Sequence, residues 1–207
     1  MFRSITRSLC FVILLFVAGS LLAQTEFSAD MVNTGKAGTP TQAKLYVAKD
    51  KMRIEPQDRG AAAMGVVIVN LSTQTSTVLM MQQHMYMEMP AQAAESRRMF
   101  SFFESGDVEN ACPDWLSLKA NKGGTCQKVG SETVNGRSAV KYVGTNSNGD
   151  SGSVWIDSKL RFPVKWEGKN GSGEMRNIQE GSQPASLFEV PAGYTKMDLG
   201  GMMQRQQ

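Results

Sequence analysis

Short apolar runs, each broken by turn residues, recur along most of this chain and constrain its fold class more than any other feature. Ala43, Leu45 and Val47 alternate with Lys44 and Tyr46; after Asp50, Met52 and Ile54 alternate with Lys51, Arg53 and Glu55. A period of two is that of a strand with one buried face. Gly65 to Leu71 is apolar at nearly every position, which predicts a central strand covered on both sides. Thr75–Met81 and His84–Met89 read as a hairpin across Gln82-Gln83, ended by Pro90. Asn135-Gly136 is the strongest short hairpin signal there is, and it joins 126–133 to 137–144. Further strands are expected at 27–32, 153–156, 162–167 and 174–179. The pattern therefore predicts a mostly β chain of about ten antiparallel strands, with no repeats, curled into a barrel, half-barrel or sandwich.

Two segments break this rhythm. Ala91 to Glu104 is rich in Ala, Gln, Glu and Arg, good helix formers, and Met99, Phe100, Phe102 and Phe103 give its second half an apolar surface before Gly106 stops it. It is the one main helix expected, giving an α+β element to the fold. Between 110 and 122 the pattern suggests a short helix. Pro184 to Val190 reads as a helical turn, followed by a polar tail from about 199.

The first residues read as a leader for export. Arg3 and Arg7 precede the apolar run Leu9–Ala18, and Gly19-Ser20-Leu21-Leu22-Ala23 supplies small residues before polar Gln24. Charge, short apolar helix and small-residue site is the order of a cleavable signal peptide, and the apolar run is shorter than the roughly 20 residues a span needs. Residues 1–23 are thus expected to be removed, leaving 24–207 as a single domain in the periplasm or outside the cell. Loss of the two arginines lowers the formal charge from +3 to +1, and a near-neutral surface argues against nucleic acid as a partner. Cys112 and Cys126 are the cysteines that remain. An even count in an exported chain predicts that they pair as a structural staple.

Enzymatic chemistry finds little to use. The chain has one histidine, His84, no glycine-rich phosphate loop before a helix, and no His/Cys/acid spacing for zinc or iron. Gly149-Asp150-Ser151-Gly152-Ser153 is similar to the nucleophile loop of chymotrypsin-type proteases, with His84 upstream and Asp107 or Asp114 between them. His84, in Gln83-His84-Met85, lacks that family's context, and the chain is too short for two six-stranded barrels. The run is better read as part of a polar hairpin loop, Asn146-Ser147-Asn148-Gly149-Asp150, so no catalytic residue and no cofactor is assigned.

The methionines are a stronger signal. Met80, Met81, Met85, Met87 and Met89 crowd one hairpin. On a strand Met85, Met87 and Met89 share one face, with His84, Tyr86 and Glu88 on the other. A thioether-rich face suits varied apolar ligands, because methionine is flexible and polarisable. It also suits Cu(I), a soft ion.

Four runs carry a resemblance. These are Lys44 to Glu55, then Val67 to Thr75 with Val78-Leu79-Met80, then Val154-Trp155-Ile156-Asp157 with Phe162-Pro163-Val164-Lys165, and Leu187 to Tyr194. Together, in this order over roughly 26–198, they resemble a family of exported bacterial domains related to the lipoprotein carriers LolA and LolB. The resemblance implies a curved antiparallel sheet forming an unclosed half-barrel, with the main helix over its apolar concave face, and relatives that bind acyl chains or lipidated proteins there. None of the carriers' functional residues maps onto a position here.

The reading that follows is a periplasmic, non-enzymatic binding module that holds an acyl chain, lipid or lipidated protein. Its expected ligand-binding residues are Met80, Met85, Met87, Met89, Met99, Phe100, Phe102 and Phe103. The alternatives are a periplasmic Cu(I)-binding protein that uses the methionine strand, and an envelope structural or interaction protein without a ligand.

Overall fold

The computed structural model describes residues 25–36, 38–58, 65–90, 107–117 and 121–197. The expected leader, the helix over 91–104 and the tail from about 199 lie outside them. Twelve strands form one sheet: β1 Phe27–Gly35, β2 Pro40–Ala48, β3 Lys51–Pro56, β4 Val66–Asn70, β5 Thr75–Met80, β6 Met85–Pro90, β7 Thr125–Val134, β8 Arg137–Thr145, β9 Ser151–Asp157, β10 Pro163–Gly168, β11 Gly171–Glu180 and β12 Thr195–Lys196. Their spatial order is β12-β6-β5-β4-β3-β2-β1-β11-β10-β9-β8-β7. Every pairing is antiparallel except the short β12, which runs parallel to β6. The two ends of the order do not pair, so the half-barrel is unclosed, as expected.

Local chemistry explains the hairpins. Asn135 and Gly136 take φ of 49° and 79°, the paired positive angles of a type I′ turn, and Val134 pairs with Arg137 across it. The β5–β6 turn differs from the expected one. Met80 pairs with Met85, so residues 81–84 form the turn, and His84 sits in it at φ 51°. Histidine tolerates that left-handed conformation better than most side chains. Since β6 begins at Met85, His84 does not share a strand face with Tyr86 and Glu88.

The sheet curls, and one end of it shows how far. The Asn135 side-chain amide donates to the Met175 carbonyl at 2.9 Å, although β8 and β11 are three strands apart, about 14 Å in a flat sheet. Arg137 bonds Asp157 at 2.5 Å and Glu180 at 2.9 Å. Buried Asp157 also accepts the backbone N–H groups of Lys159 and Leu160. The main core fills this curl with Phe27, Leu45, Val47, Leu160, Phe162, Val164 and Met175. At the far end of the same strands, Gly35, Gly171, Gly168, Gly152 and Gly144 stand opposite one another across β1, β11, β10, β9 and β8.

Two smaller units pack on the sheet. After a 3-10 turn at Val108–Asn110, the described α-helix, α1 (Cys112–Ser117), lies against Val140, Tyr142 and Ile156. Cys112 is bonded to Cys126 of β7, with Cα atoms 5.5 Å apart, as the cysteine count predicts. The second unit is the C-terminal segment, whose 3-10 turn Ala185–Phe188 leads to β12. It packs Leu187, Phe188, Val190 and Tyr194 over Val66, Ile68 and Leu79. Arg53, itself buried, donates to the Leu187 carbonyl at 2.8 Å. Chain expected to be a helical turn before a polar tail is therefore a strap that covers one side of β2–β6.

Candidate functional site

Strand register divides the sheet into two faces, because cross-strand partners point the same way. Met87 pairs with Val78, Val78 with Val67, Val67 with Ile54, Ile54 with Leu45, and Leu45 with Ala29. Met80 pairs with Met85, and Met52 with both Val47 and Val69. Met31 pairs with Ala43 on one side and Met175 on the other. Met31, Met52, Met80, Met85, Met87 and Met175 thus share a single face. We call it the methionine face.

Polarity separates the two faces sharply over β1–β6. The methionine face carries Phe27, Ala29, Met31, Leu45, Val47, Met52, Ile54, Val67, Val69 and Val78, interrupted by Asn33, Thr41 and Ser76. The opposite face carries Asp30, Lys44, Arg53, Glu55, Thr77 and Glu88, and its apolar patch around Ile68 and Leu79 lies under the strap. The expectation that strand 65–71 is covered on both sides holds on this opposite face, where Val66 and Ile68 meet Phe188.

Burial along the methionine face is graded. Phe27, Ala29, Leu45, Val47 and Met175 are buried at its centre. Towards the β5–β6 end, Val78, Met80, Met85 and Met87 are only half-buried. Continuing the register through Gly173, Trp166 and Val154 reaches Tyr142 on the same face, where α1 and the disulfide sit. The Tyr142 hydroxyl donates to the Val108 carbonyl at 2.6 Å and accepts from Ala111 N–H, which fixes the start of α1 on the sheet.

Of the residues expected to bind a ligand, Met80, Met85 and Met87 come together on this face. Met89 occupies the register position opposite Ser76. Met99, Phe100, Phe102 and Phe103 lie outside the described residues. Met31, Met52 and Met175 were missed. Their signal was present in the alternations Phe27/Ala29/Met31 and Met52/Ile54, but only register shows that these join the β6 methionines.

Other groups fall away from the face. His84 is exposed in its turn, its ring 5.4 Å from that of Tyr194. The polar loop 146–150 leads into β9, as read: Asn146 accepts the Asn148 and Asp150 N–H groups, and Asp150 pairs with Lys169 at 2.7 Å. That pairing and Asn146 hold the Asp150 carboxyl below its usual range. Among the described residues no group of three or more His, Cys, Asp or Glu is placed to hold a metal. An open groove of about 610 Å³ is lined by Thr125, Gln127, Val143, Ser151, Ser153 and Glu167. Register puts Gln127, Val143, Ser153 and Glu167 opposite the methionine face. Buried Trp155 lies on that opposite side. Its Nε1 donates to Glu132 at 2.6 Å, and Lys141 and Lys165 stand over its ring at 4.6 and 4.4 Å. The indole N–H, with Lys141, holds the Glu132 carboxyl below its usual range.

No protein-family sequence profile matches the chain, and no curated protein matches it. Solved structures do. An uncharacterized conserved protein from Thermus thermophilus superposes with a TM-score of 0.56 at 11% identity, over 85% of this chain and 91% of that one. MucB, in its Pseudomonas aeruginosa complex with MucA, superposes with a TM-score of 0.50 at 15% identity, over 83% of this chain and 57% of that one. This chain therefore spans little more than half of MucB. An outer membrane lipoprotein-sorting domain from Vibrio parahaemolyticus aligns at 10% identity, over 78% of this chain and 88% of that one, with a TM-score of only 0.32, too loose to carry weight. At such identities the likeness is one of fold.

Proposed function

We propose that this chain is a non-enzymatic binding module of the periplasm, its leader 1–23 removed, which holds an acyl chain, a lipid or a lipidated protein against the methionine face. The observation that carries the reading is the mainly apolar face of β1–β6, which passes from buried Phe27 and Leu45 to half-buried Met80, Met85 and Met87. Each methylene withdrawn from water contributes about 0.8 kcal/mol, so part of an acyl chain suffices for binding after ordering costs are met. Thioethers accommodate chains of different length, so selectivity between them is low. The disulfide supports an oxidising compartment. MucB, similar to this chain in fold, was solved with MucA, which supports a protein as one kind of partner.

Displacement of a fluorescent fatty-acid probe from delipidated mature protein tests the reading. Saturable binding that Met87→Asp weakens at least tenfold, with the circular dichroism unchanged, is expected. Absence of saturable binding at every acyl length would remove the carrier role and leave the fold.

A second reading has Met80, Met85 and Met87 hold Cu(I). It is favoured by the direct opposition of Met80 and Met85.

A further inference from the structure

The same face that suits an acyl chain also carries the sulfur that an oxidant would reach. Among the described residues both cysteines are joined in the disulfide, so thioethers are the reduced sulfur available there. They are not equally available. Met175 is 2% exposed in the core, whereas Met80, Met85 and Met87 are half-buried. Among the described residues their cross-strand partners offer no donor to an added oxygen: Met87 pairs with Val78, Val78 with Val67, and Met80 with Met85.

We infer that Met80, Met85 and Met87 form an oxidant-responsive modification site, at which conversion to the sulfoxide by a hydroperoxide empties the methionine face of its apolar ligand. The inference rests on the binding reading above. In the step itself a thioether lone pair attacks one peroxide oxygen. The S–O bond forms, the O–O bond breaks and sulfur loses two electrons; the proton on the transferred oxygen passes to the departing hydroxide, which leaves as water, or to the alkoxide of an organic hydroperoxide, which leaves as an alcohol. A flexible apolar side chain becomes a polar one. Its new oxygen is a strong acceptor facing valines and other thioethers, and a ligand laid over it would bury it without a donor. Each sulfoxide therefore favours the empty, hydrated face. The change is reversible, because methionine sulfoxide reductases restore the thioether.

Met81 supplies an internal comparison. It is 46% exposed, in the β5–β6 turn and off the face, and its sulfur accepts the Tyr194 hydroxyl at 3.2 Å. It is the more exposed residue, yet its oxidation leaves the face apolar.

The test uses delipidated mature protein, hydrogen peroxide and 11-(dansylamino)undecanoic acid as probe, with peroxide removed before the probe is added. Peptide mass mapping reads the sulfoxides at each position, and reductase treatment, with unoxidised protein carried through the same step, reads reversal. The expected result is sulfoxide at Met80, Met85 and Met87, probe affinity lower on the order of tenfold or more, recovery after reductase, and the same response in Met81→Leu. Sulfoxide on the face with unchanged affinity overturns the inference and leaves the binding reading standing. So does a response that vanishes in Met81→Leu, or sulfoxide confined to Met81. Failure of the unoxidised protein to bind the probe overturns the binding reading and this inference with it.

Discussion

Asn135 donates its side-chain amide to the carbonyl of Met175, 40 residues further along the chain. One residue thus does two jobs. It supplies a left-handed turn position between β7 and β8, and it ties that turn to a strand three places away. Asn135→Ala removes both, and a net hydrogen bond contributes about 1 kcal/mol while a stranded buried carbonyl costs about 1–3 kcal/mol. We expect a loss of roughly 1–3 kcal/mol in urea unfolding. Asn135→Asp, which keeps the turn but not the amide donor, should fall between.

The strap makes a separate prediction. Phe188 is 8% exposed against Val66, Ile68 and Leu79, and truncating a buried phenylalanine costs about 3–5 kcal/mol. Phe188→Ala should lower the unfolding midpoint accordingly. Hydrogen exchange should then rise first at Thr195 and Met197, whose N–H groups bond His84 and Tyr86 carbonyls.

Reduction of the Cys112–Cys126 bridge removes the covalent tie between α1 and β7. Removing a native disulfide typically costs about 2–5 kcal/mol, so Cys112→Ala with Cys126→Ala should be less stable by that much. Thiol labelling of the unfolded, unreduced protein should find neither cysteine free.

Acid should weaken the fold in a defined direction. Lys44, then Asn177, hold Asp30 below the usual carboxylate range, and Lys159, then Arg137, do the same for Glu180. A carboxyl whose pKa is depressed on folding contributes stability above its unfolded value of about 3.9 to 4.3. That contribution is lost as pH falls through the folded value. Urea midpoints should therefore decline below about pH 4, and the decline should be shallower in Glu180→Gln.

Cu(I) titration under reducing conditions separates the two readings of the methionine face. We expect no stoichiometric binding. Tight binding abolished by Met85→Leu and Met87→Leu would establish the copper reading instead.

Much of the sheet was legible because its signals are local. Alternation marks strands wherever one face is buried, and Asn135-Gly136 needs only its own two φ angles. What required the fold was anything set by pairing. Parity within β6 groups Met85 with Met87, but nothing within that strand says that Met52 and Met31 join them from three and five strands away. That follows from five registers in succession, each of which would reverse the face if it slipped by one residue. The β6 boundary failed for a related reason. A histidine beside methionines reads as strand, and only the Met80–Met85 pairing shows that the chain has already turned. The strap was missed because Phe188 finds its partners more than a hundred residues back.

The five glycines facing one another from β8 to β1 leave a line across the sheet on which no side chain stands. A Cβ at Gly171, where φ is 137°, would run into the Thr34 carbonyl, and one at Gly144 into that of Thr125. Gly35 and Gly168 have room for a Cβ, so the close approach is confined to part of the line. A sheet resists bending partly through side chains that jostle their neighbours on the same face. Along this bald seam that resistance is missing, so residues that carry no chemistry of their own mark a line where the sheet bends easily.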